Sequence, residues 1–379
     1  MLQKIIQFSV RNKLVIGLFT LILIVAGVYQ VTRLPIDALP DITSNQVQVI
    51  TVSPALAASE VEQLITFPIE QVNASIPGLT EMRSISRFGL SVITLVFEDD
   101  VDVYWARQQV SERLLQVREQ IPSHAGSPEL APVTTGLGEI YQYVVRPAKG
   151  YEGKYDLAEL RSIQDWIIRR QLLGTPGVAD VSSFGGVLKQ YEISIHPPKL
   201  KSLGITVSDV FNALQKNNEN SGASYIEKGP NALFIRSEGL AANTAELANI
   251  FIKNNPTGTP VFVKDIAEVR IGSAVRYGAM TYRDQGEVTG AVVLMLKGAN
   301  ASAVVKDLNI KMDQIRKTLP EGVIVETFLE RTKMVNNAIG TVEKNLIEGA
   351  LIVVFVLVFF LGNLRAGLIV ASVIPLAML

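Results

Sequence analysis

Four carboxylates stand together at Glu98, Asp99, Asp100 and Asp102, directly after an apolar run that alternates like a strand. Three or four oxygen-donor side chains at that spacing can hold a divalent cation. The plainer reading is a solvated strand-to-helix junction, with Asp102 capping the helix that follows. The two histidines are His124, in a Ser-His-Ala-Gly loop, and His196, before Pro197-Pro198. They show no paired spacing, so they make no metal motif and read as structural. Met82, Met280, Met295, Met312 and Met334 could offer thioethers to copper(I). They are scattered, however, and Met295 and Met312 fall within apolar core patterns. There is no cysteine, which removes disulfides, zinc–thiolate sites and thiol nucleophiles from this stretch and suits an oxidising compartment. No P-loop, Gly-rich phosphate cradle or Ser-His-Asp arrangement is legible. The sequence thus names no catalytic residue, no cofactor-binding residue and no cofactor, and leaves the metal ligands unknown.

Hydrophobic residues make up 48% of the 379 residues and mean hydropathy is +0.28, while 19% are still charged. That mixture suggests membrane spans joined to a sizeable water-exposed part. The net charge of −1 gives no electrostatic footprint for nucleic acid.

Residues 14–32 form a charge-free run of 19 residues, LVIGLFTLILIVAGVYQVT. As a helix this covers about 28 Å, enough to span a bilayer. A cleavable signal peptide would have a shorter apolar region and an Ala-x-Ala site, which is missing. Lys4, Arg11 and Lys13 precede the run, and Asp37 and Asp41 follow it after Arg33. The positive-inside rule places residues 1–13 in the cytoplasm and a transmembrane helix at 14–33. A second run, 349–364, lies between Glu348 and Arg365, and a short GNLRAG link carries Arg365 back to the cytoplasmic side. The segment between the two spans then lies across the membrane, in the periplasm of a Gram-negative cell. A third apolar run, 366–379, covers only about 21 Å of a core about 30 Å thick. The chain is therefore expected to be the front part of something longer. None of the three runs holds an internal ionisable residue, so no proton relay is visible.

The long segment between the spans repeats itself. A helix expected over 59–73, opened by a capping box of Ser59 and Glu62, carries Val61, Leu64, Ile65, Ile69 and Val72 on one face, with Pro68 kinking it. Pro77-Gly78-Leu79 and Ser86-Arg87-Phe88-Gly89 follow. A second helix, over 157–173, is followed by Pro176-Gly177-Val178 and Ser182-Ser183-Phe184-Gly185, 99 positions after the first Pro-Gly pair. The other half repeats too. A strand at 91–97 precedes a helix marked by Val103, Ala106, Val110, Leu114, Val117 and Ile121. A strand at 290–296 precedes one marked by Val305, Leu308, Met312, Ile315 and Leu319. Pro122 and Pro320 close these halves, 198 positions apart. The extra length implies an insertion in the second copy, between about 186 and 277. Two split βαβ units, one containing a nested domain, follow.

Within the insertion, 190–195 alternates as a strand, 207–216 reads as a helix, and 221–235 reads as a hairpin turning at Gly229-Pro230-Asn231. The hairpin is either a surface feature of its own domain or an arm to a neighbouring subunit. From Lys333, helical spacing through Val335, Ile339, Val342 and Leu346 runs into the second span without a breaker.

Several stretches resemble the resistance–nodulation–division (RND) efflux permeases: RLPIDALPDI at 33–42, FPIEQ at 67–71, IPGL at 76–79, FEDDVDVYWAR at 97–107, TGLGEIYQY at 135–143 and LGNLRAGLIVASVIPLAML at 361–379. The last is closest to the heavy-metal branch (CzcA/CusA-type), and within it to the cobalt–zinc–cadmium pumps. The resemblance covers essentially the whole chain. It implies an α+β polytopic membrane protein with transmembrane helices, periplasmic ferredoxin-like porter subdomains and an inserted docking subdomain. The first porter subdomain would span 34–134. The second would combine 135–185 with 278–332, and the docking subdomain would be 186–277. A periplasmic helix at 333–364 would run into transmembrane helix 2, and 366–379 would begin helix 3. The resemblance further implies an inner-membrane homotrimer with a periplasmic adaptor and an outer-membrane channel. Such a complex exports divalent metal cations by proton antiport across the lipid bilayer, with no nucleic-acid partner. It also implies that the 221–235 hairpin is an intersubunit arm.

Departures from the family bear on the substrate. The family's proton-relay acids lie on a fourth span and most of its metal ligands on a second large loop, and neither is in this sequence. His196 stands where relatives are expected to carry Asp before Pro. Val275, beside Arg276, stands where a copper/silver pump would be expected to carry Met, which favours zinc, cobalt or cadmium. Two other functions remain in view. A drug or amphiphile pump of the same superfamily would show a phenylalanine-rich cleft. A membrane-tethered periplasmic binding or scaffold protein would end naturally at Leu379.

Overall fold

The computed structural model describes residues 2–31, 42–54, 56–122, 125–276, 278–362 and 364–365. Residues 33–41 of the RLPIDALPDI stretch, His124, the side chain of Met334 and the third apolar run at 366–379 lie outside the described residues.

Helix α1 (Leu2–Arg11) leads into α2 (Lys13–Val31). Leu14, Leu18, Phe19 and Ile22 of α2 are all exposed. Unit 1 follows, comprising β1 (Asn45–Val52), α3 (Ala58–Val61), α4 (Phe67–Asn73), β2 (Leu79–Arg87), β3 (Leu90–Phe97), α5 (Val103–Val117) and the short β4 (Glu129–Leu130). Its antiparallel sheet has the order β2-β3-β1-β4. Alternation in β1 and β3 turns Val47, Val49, Ile93, Leu95 and Phe97 to one face, where they meet Val61, Ile65 and Ile69 and the Ala106, Val110, Leu114, Val117 stripe of α5.

Two local expectations for this unit are corrected. The first helix begins earlier than Ser59. Ala57 is the N-cap residue, and its N–H donates to the Glu60 carboxylate at 2.9 Å, so Glu60 makes the reciprocal contact expected of Glu62. Pro68 does not simply kink the helix. A π-helical turn at Glu62–Thr66 joins α3 to α4, and Pro68 falls in the first turn after it. The second copy also has a π turn, at Gln164–Ile168, which is three residues further along by the 99-position offset and contains no proline, so a π turn in this helix does not require Pro68.

Unit 2 begins with β5 (Glu139–Pro147), α6 (Leu157–Ile163), a π turn at Gln164–Ile168, α7 (Arg169–Leu172) and β6 (Val178–Gly185). The chain then leaves for β7 (Lys189–Ile195), α8 (Pro197–Leu203), α9 (Val207–Asn217), β8 (Ser221–Lys228), β9 (Asn231–Ser237), α10 (Thr244–Ala248), β10 (Phe251–Asn254), β11 (Pro260–Phe262), α11 (Val263–Ile266) and β12 (Ala267–Ser273). It returns for β13 (Thr289–Met295), α12 (Ala301–Arg316) and β14 (Val323–Glu330). The sheet order β14-β5-β13-β6 repeats that of unit 1, strand for strand. The Pro-Gly turns are equivalent in detail: Glu98 N–H donates to Gly78 O, and Leu296 N–H to Gly177 O, both at 2.9 Å.

The excursion has its own small core of Leu200, Ile205, Val210, Leu247, Ile250, Val261, Val263 and Ile266. Its β8–β9 hairpin stands clear of that core. Tyr225 and Phe234 pair at 6.1 Å, and Phe234 is 83% exposed. Finally α13 (Arg331–Leu361) starts directly from β14 and continues unbroken past Glu348 to a left-handed Gly362. Among the described residues no helix is long and apolar enough to cross a membrane. The helices alone therefore do not establish the spans expected at 14–33 and 333–364.

Candidate functional site

In unit 2 the helices α6, α7 and α12 cover one face of the sheet. Tyr141, Tyr143, Val145, Val181, Ala291, Val293, Met295, Val323 and Val325 are buried there with Leu308, Met312 and Ile315. Strand alternation sends Gln142, Arg146, Phe184, Val292, Glu326 and Phe328 to the opposite face. Among the described residues, the helices of unit 2 that pack on the sheet, α6, α7 and α12, lie on the first face. Part of the second face opens into a cleft of about 640 Å³ lined by Glu139, Gln142, Phe184, Arg276, Met280 and Phe328, among others.

Residues 278–288, which bring the chain back from the excursion, strap across this face. Met280 rests on two glycines. A side chain at Gly185 (φ +65°) would meet the Val288 carbonyl and Met280, and one at Gly290 would meet the Tyr143 carbonyl and the Met280 sulfur. Small residues there are what let the strap lie down. Tyr282 lies tilted against Phe328 with ring centroids 5.7 Å apart, and Arg283, with φ of 52°, lies 4.9 Å from the Tyr282 ring centre.

Glu326 is the hub of the strap. Its Oε2 accepts from Arg146 Nη2 at 2.7 Å and Nε at 3.0 Å. Its Oε1 accepts from Tyr282 Oη at 3.0 Å, and Arg283 Nη2 lies 3.2 Å away. The Arg146 donors hold the Glu326 carboxyl below its ordinary pKa, against the opposing pull of desolvation. Arg276, just before the strap, forms a further ion pair with Glu287 in it. The face therefore presents mixed charge, one thioether and two phenyl rings. It can orient a small polar or cationic species, and among the described residues it has no nucleophile–base pair for covalent chemistry.

The residues singled out in the sequence lie elsewhere. Asp102 caps α5, accepting from the N–H groups of Tyr104 and Trp105, both at 2.9 Å. The main-chain carbonyls of Glu98, Asp99 and Val101 accept from Asn45 Nδ2 at 3.3, 2.9 and 2.9 Å. The acidic stretch is thus the strand-to-helix junction of the plainer reading. His196 is an exposed N-cap residue of α8, and its N–H donates to Ile266 O at 2.9 Å. Met295 and Met312 are in the unit 2 core, and Met82 packs against the unit 1 core. Among the described residues no group of three or more His, Asp or Glu side chains is gathered as a metal ion would need. Sequence reasoning missed Arg146, Tyr282 and Glu326. The available signal was Glu326 itself, a charge at an alternate position in the apolar strand VIVETFLE.

Comparison with known proteins gives consistent matches. The model of the AcrB/AcrD/AcrF family matches residues 5–379. Protein HelA of Legionella pneumophila is 46% identical over 381 residues, covering 100% of this chain and 36% of the relative. The cobalt-zinc-cadmium resistance protein CzcA of Cupriavidus metallidurans is 43% identical over 383 residues, with the same two shares. A solved crystal structure of a heavy metal efflux pump superimposes with a TM-score of 0.86 at 35% identity, over 97% of this chain and 36% of the pump. The chain thus spans about a third of the length of the relatives it matches.

Proposed function

The chain belongs to the AcrB/AcrD/AcrF family, and from that premise we propose that it is the first periplasmic half of an inner-membrane permease exporting divalent heavy-metal cations. The observation that carries this reading is the end-to-end match, at 43% identity, to a protein named for cobalt, zinc and cadmium resistance.

On this reading unit 1 and unit 2 are porter subdomains, at 34–134 and at 135–185 with 278–332. The excursion at 186–277 is the docking subdomain. Two features support the assignment: the shared strand order, and the position of the excursion between β6 and β13. The exposed Phe234 and Tyr225 of the hairpin suit an arm that enters a neighbouring protomer of a homotrimer. Helix α2 and the apolar end of α13 are transmembrane helices 1 and 2. Their exposed leucines, isoleucines and phenylalanines face lipid. A third begins at 366, and multi-pass insertion in the inner membrane follows. A periplasmic adaptor and an outer-membrane channel complete the path. Proton antiport drives it, using groups outside this chain.

The strapped face of unit 2 bears on the choice between metal and amphiphile. It carries Glu139, Arg146 and Glu326 beside only two phenylalanines, Phe184 and Phe328. Charged groups at that density disfavour a greasy molecule, although Arg161, Arg276 and Arg283 leave the face without a net negative charge that would itself select a cation. The test is resistance. The complete gene, expressed in a bacterium stripped of its own metal efflux, raises the tolerated concentration of zinc, cobalt or cadmium several-fold. Unchanged tolerance to these and to nickel and copper, with the protein present in the membrane, overturns the proposal.

A further inference from the structure

The turn after β3 and the turn after β13 occupy the same place in the two copies. In unit 1 that turn is acidic, with Glu98, Asp99 and Asp100, while in unit 2 it is Lys297-Gly298-Ala299-Asn300. Both turns converge on one side chain, Asn45, at the first residue of β1. Asn45 Nδ2 donates to three carbonyls of the acidic turn, at 2.9–3.3 Å. Asn45 Oδ1 accepts from Lys297 Nζ at 2.5 Å. The same ammonium also reaches the carbonyls of Thr43 and Ser44, each at 3.4 Å. Its main-chain N–H donates to Val133 O, in the connection between the units, at 3.1 Å.

A gap lies beside this junction. A cavity of about 310 Å³ separates Gln46, Gln48 and Arg107 of unit 1 from Asp180, Ser182 and Leu294 of unit 2. The cavity leaves the two sheets apart at this point, and the half-buried Lys297 ammonium reaches from unit 2 to three oxygens at the start of β1.

The geometry points to Lys297 as a positioning residue that clasps unit 2 to the root of β1 and fixes the angle between the two α/β units. The bond to Asn45 Oδ1 is charge-assisted, and such bonds are about twice as strong as neutral ones, while the two 3.4 Å contacts add weaker electrostatic attraction. The acidic turn supplies a negative field on the far side of Asn45, so the opposite charges of the two duplicated turns polarise one shared amide. Because β1 follows α2 in the chain, whatever moves β13 is delivered through Lys297 to the start of the strand that α2 leads into. That consequence for transport rests on the efflux reading, whereas the clasp itself does not.

No cysteine occurs within these 379 residues, so label sites placed in them are unique once any cysteine elsewhere in the full-length protein is replaced by serine. In the full-length protein, spin labels are placed at Glu112→Cys on α5 and Gln314→Cys on α12, both exposed. Pulsed dipolar spectroscopy then reads the distance between the units. The wild-type background and Lys297→Arg give one narrow distribution. Lys297→Met widens it about two-fold, as one conformer becomes an ensemble. An unchanged width in a folded Lys297→Met protein overturns the clasp. A second readout needs no substitution. In the wild type, Lys297 is acylated at least about five-fold more slowly than the exposed Lys306, because its amine is half-buried and held against Asn45, Thr43 and Ser44, out of reach of the reagent. Equal rates overturn the clasp as well. Neither readout depends on which cation is exported, so the clasp and the metal reading can fail separately.

Discussion

Units 1 and 2 share one skeleton and differ in what they do with polar side chains. Each has the same strand order and places a polar residue of a π turn inside its core. In unit 1 that residue is Thr66, fully satisfied by two neighbouring hydroxyls, Ser86 and Ser91, each at 2.8 Å. In unit 2 it is Gln164, whose Nε2 donates to Ser183 at 3.3 Å. Ser183 donates to Asp165 at 2.5 Å, and Asp165 pairs with Arg161 at 2.8 Å. The first network closes inside the core, while the second runs outward to the rim of the cleft, where Arg161 is a lining residue. The fourth strands differ as well: β4 has 2 residues, whereas β14 has 8 and runs without a loop into the 31-residue α13. Duplication preserved the apolar core in both copies. Cleft, insertion and long helix were all built onto the second.

If the two cores are separate cooperative units, truncating each should damage its own copy most. Ile65 of unit 1 and Leu308 of unit 2 are both 0% exposed. Replacing either with Ala removes buried methyl groups and leaves a cavity, at a cost of about 2–5 kcal/mol. Denaturant unfolding measures the total. Hydrogen exchange should show protection lost in β1 and β3 for Ile65→Ala, and in β5 and β13 for Leu308→Ala. Equal loss in both sheets from either change breaks the comparison, because it makes the two units a single core.

The charged hub belongs to unit 2, so its pH dependence should appear only there. Glu326 has its carboxyl pKa lowered mainly by Arg146. A depressed carboxylate stabilises the fold above its unfolded pKa of about 4.3 and loses that contribution as pH falls through the lower folded value. Glu326→Gln should therefore be less stable than wild type at pH 7, and the two should converge as the medium is acidified below about pH 4. Protection of the strap at 279–288 is the local readout. A gap in stability that stays constant down to acid pH would mean the Arg146 and Arg283 contacts contribute through packing rather than charge.

The apolar skeleton was legible in the sequence because periodicity reports it directly. The Val103–Val117 stripe, the Pro-Gly turns and the Gly229-Pro230-Asn231 turn each follow from local spacing. Local spacing could not reveal the π turns, since Thr66 and Gln164 fit an ordinary helical pattern equally well. Nor could it place the cap at Ala57, because Ala has no side-chain oxygen and the partner is Glu60. The strapped face of unit 2 was hidden for a different reason. Arg146, Tyr282 and Glu326 come from three separate segments, and only the antiparallel register of β14 against β5, with Ile324 opposite Arg146 and Glu326 opposite Val144, brings them together. The acidic turn was read correctly as a junction, but its partner Lys297 lies about two hundred positions away, and no spacing rule reaches that far.

The finest comparison between the copies is at the caps of their second helices. Asp102 caps α5 in unit 1 with two bonds, to the N–H groups of Tyr104 and Trp105, both 2.9 Å. Asn300 caps α12 in unit 2 with one bond, to the N–H of Ala303 at 3.1 Å. The aspartate also places a negative charge at the positive end of the helix dipole, which the neutral Asn cannot do. Asp102→Ala should therefore cost about 1 kcal/mol, and Asn300→Ala about half of that. Asp102→Asn separates the two contributions: it keeps an acceptor and removes the charge, so it should fall between wild type and Asp102→Ala. That intermediate position should shrink at high salt, where the dipole interaction is screened. If Asn300→Ala costs as much as Asp102→Ala, the charge at the unit 1 cap adds nothing, and the acidic turn matters for its backbone carbonyls on Asn45 rather than for its carboxylates.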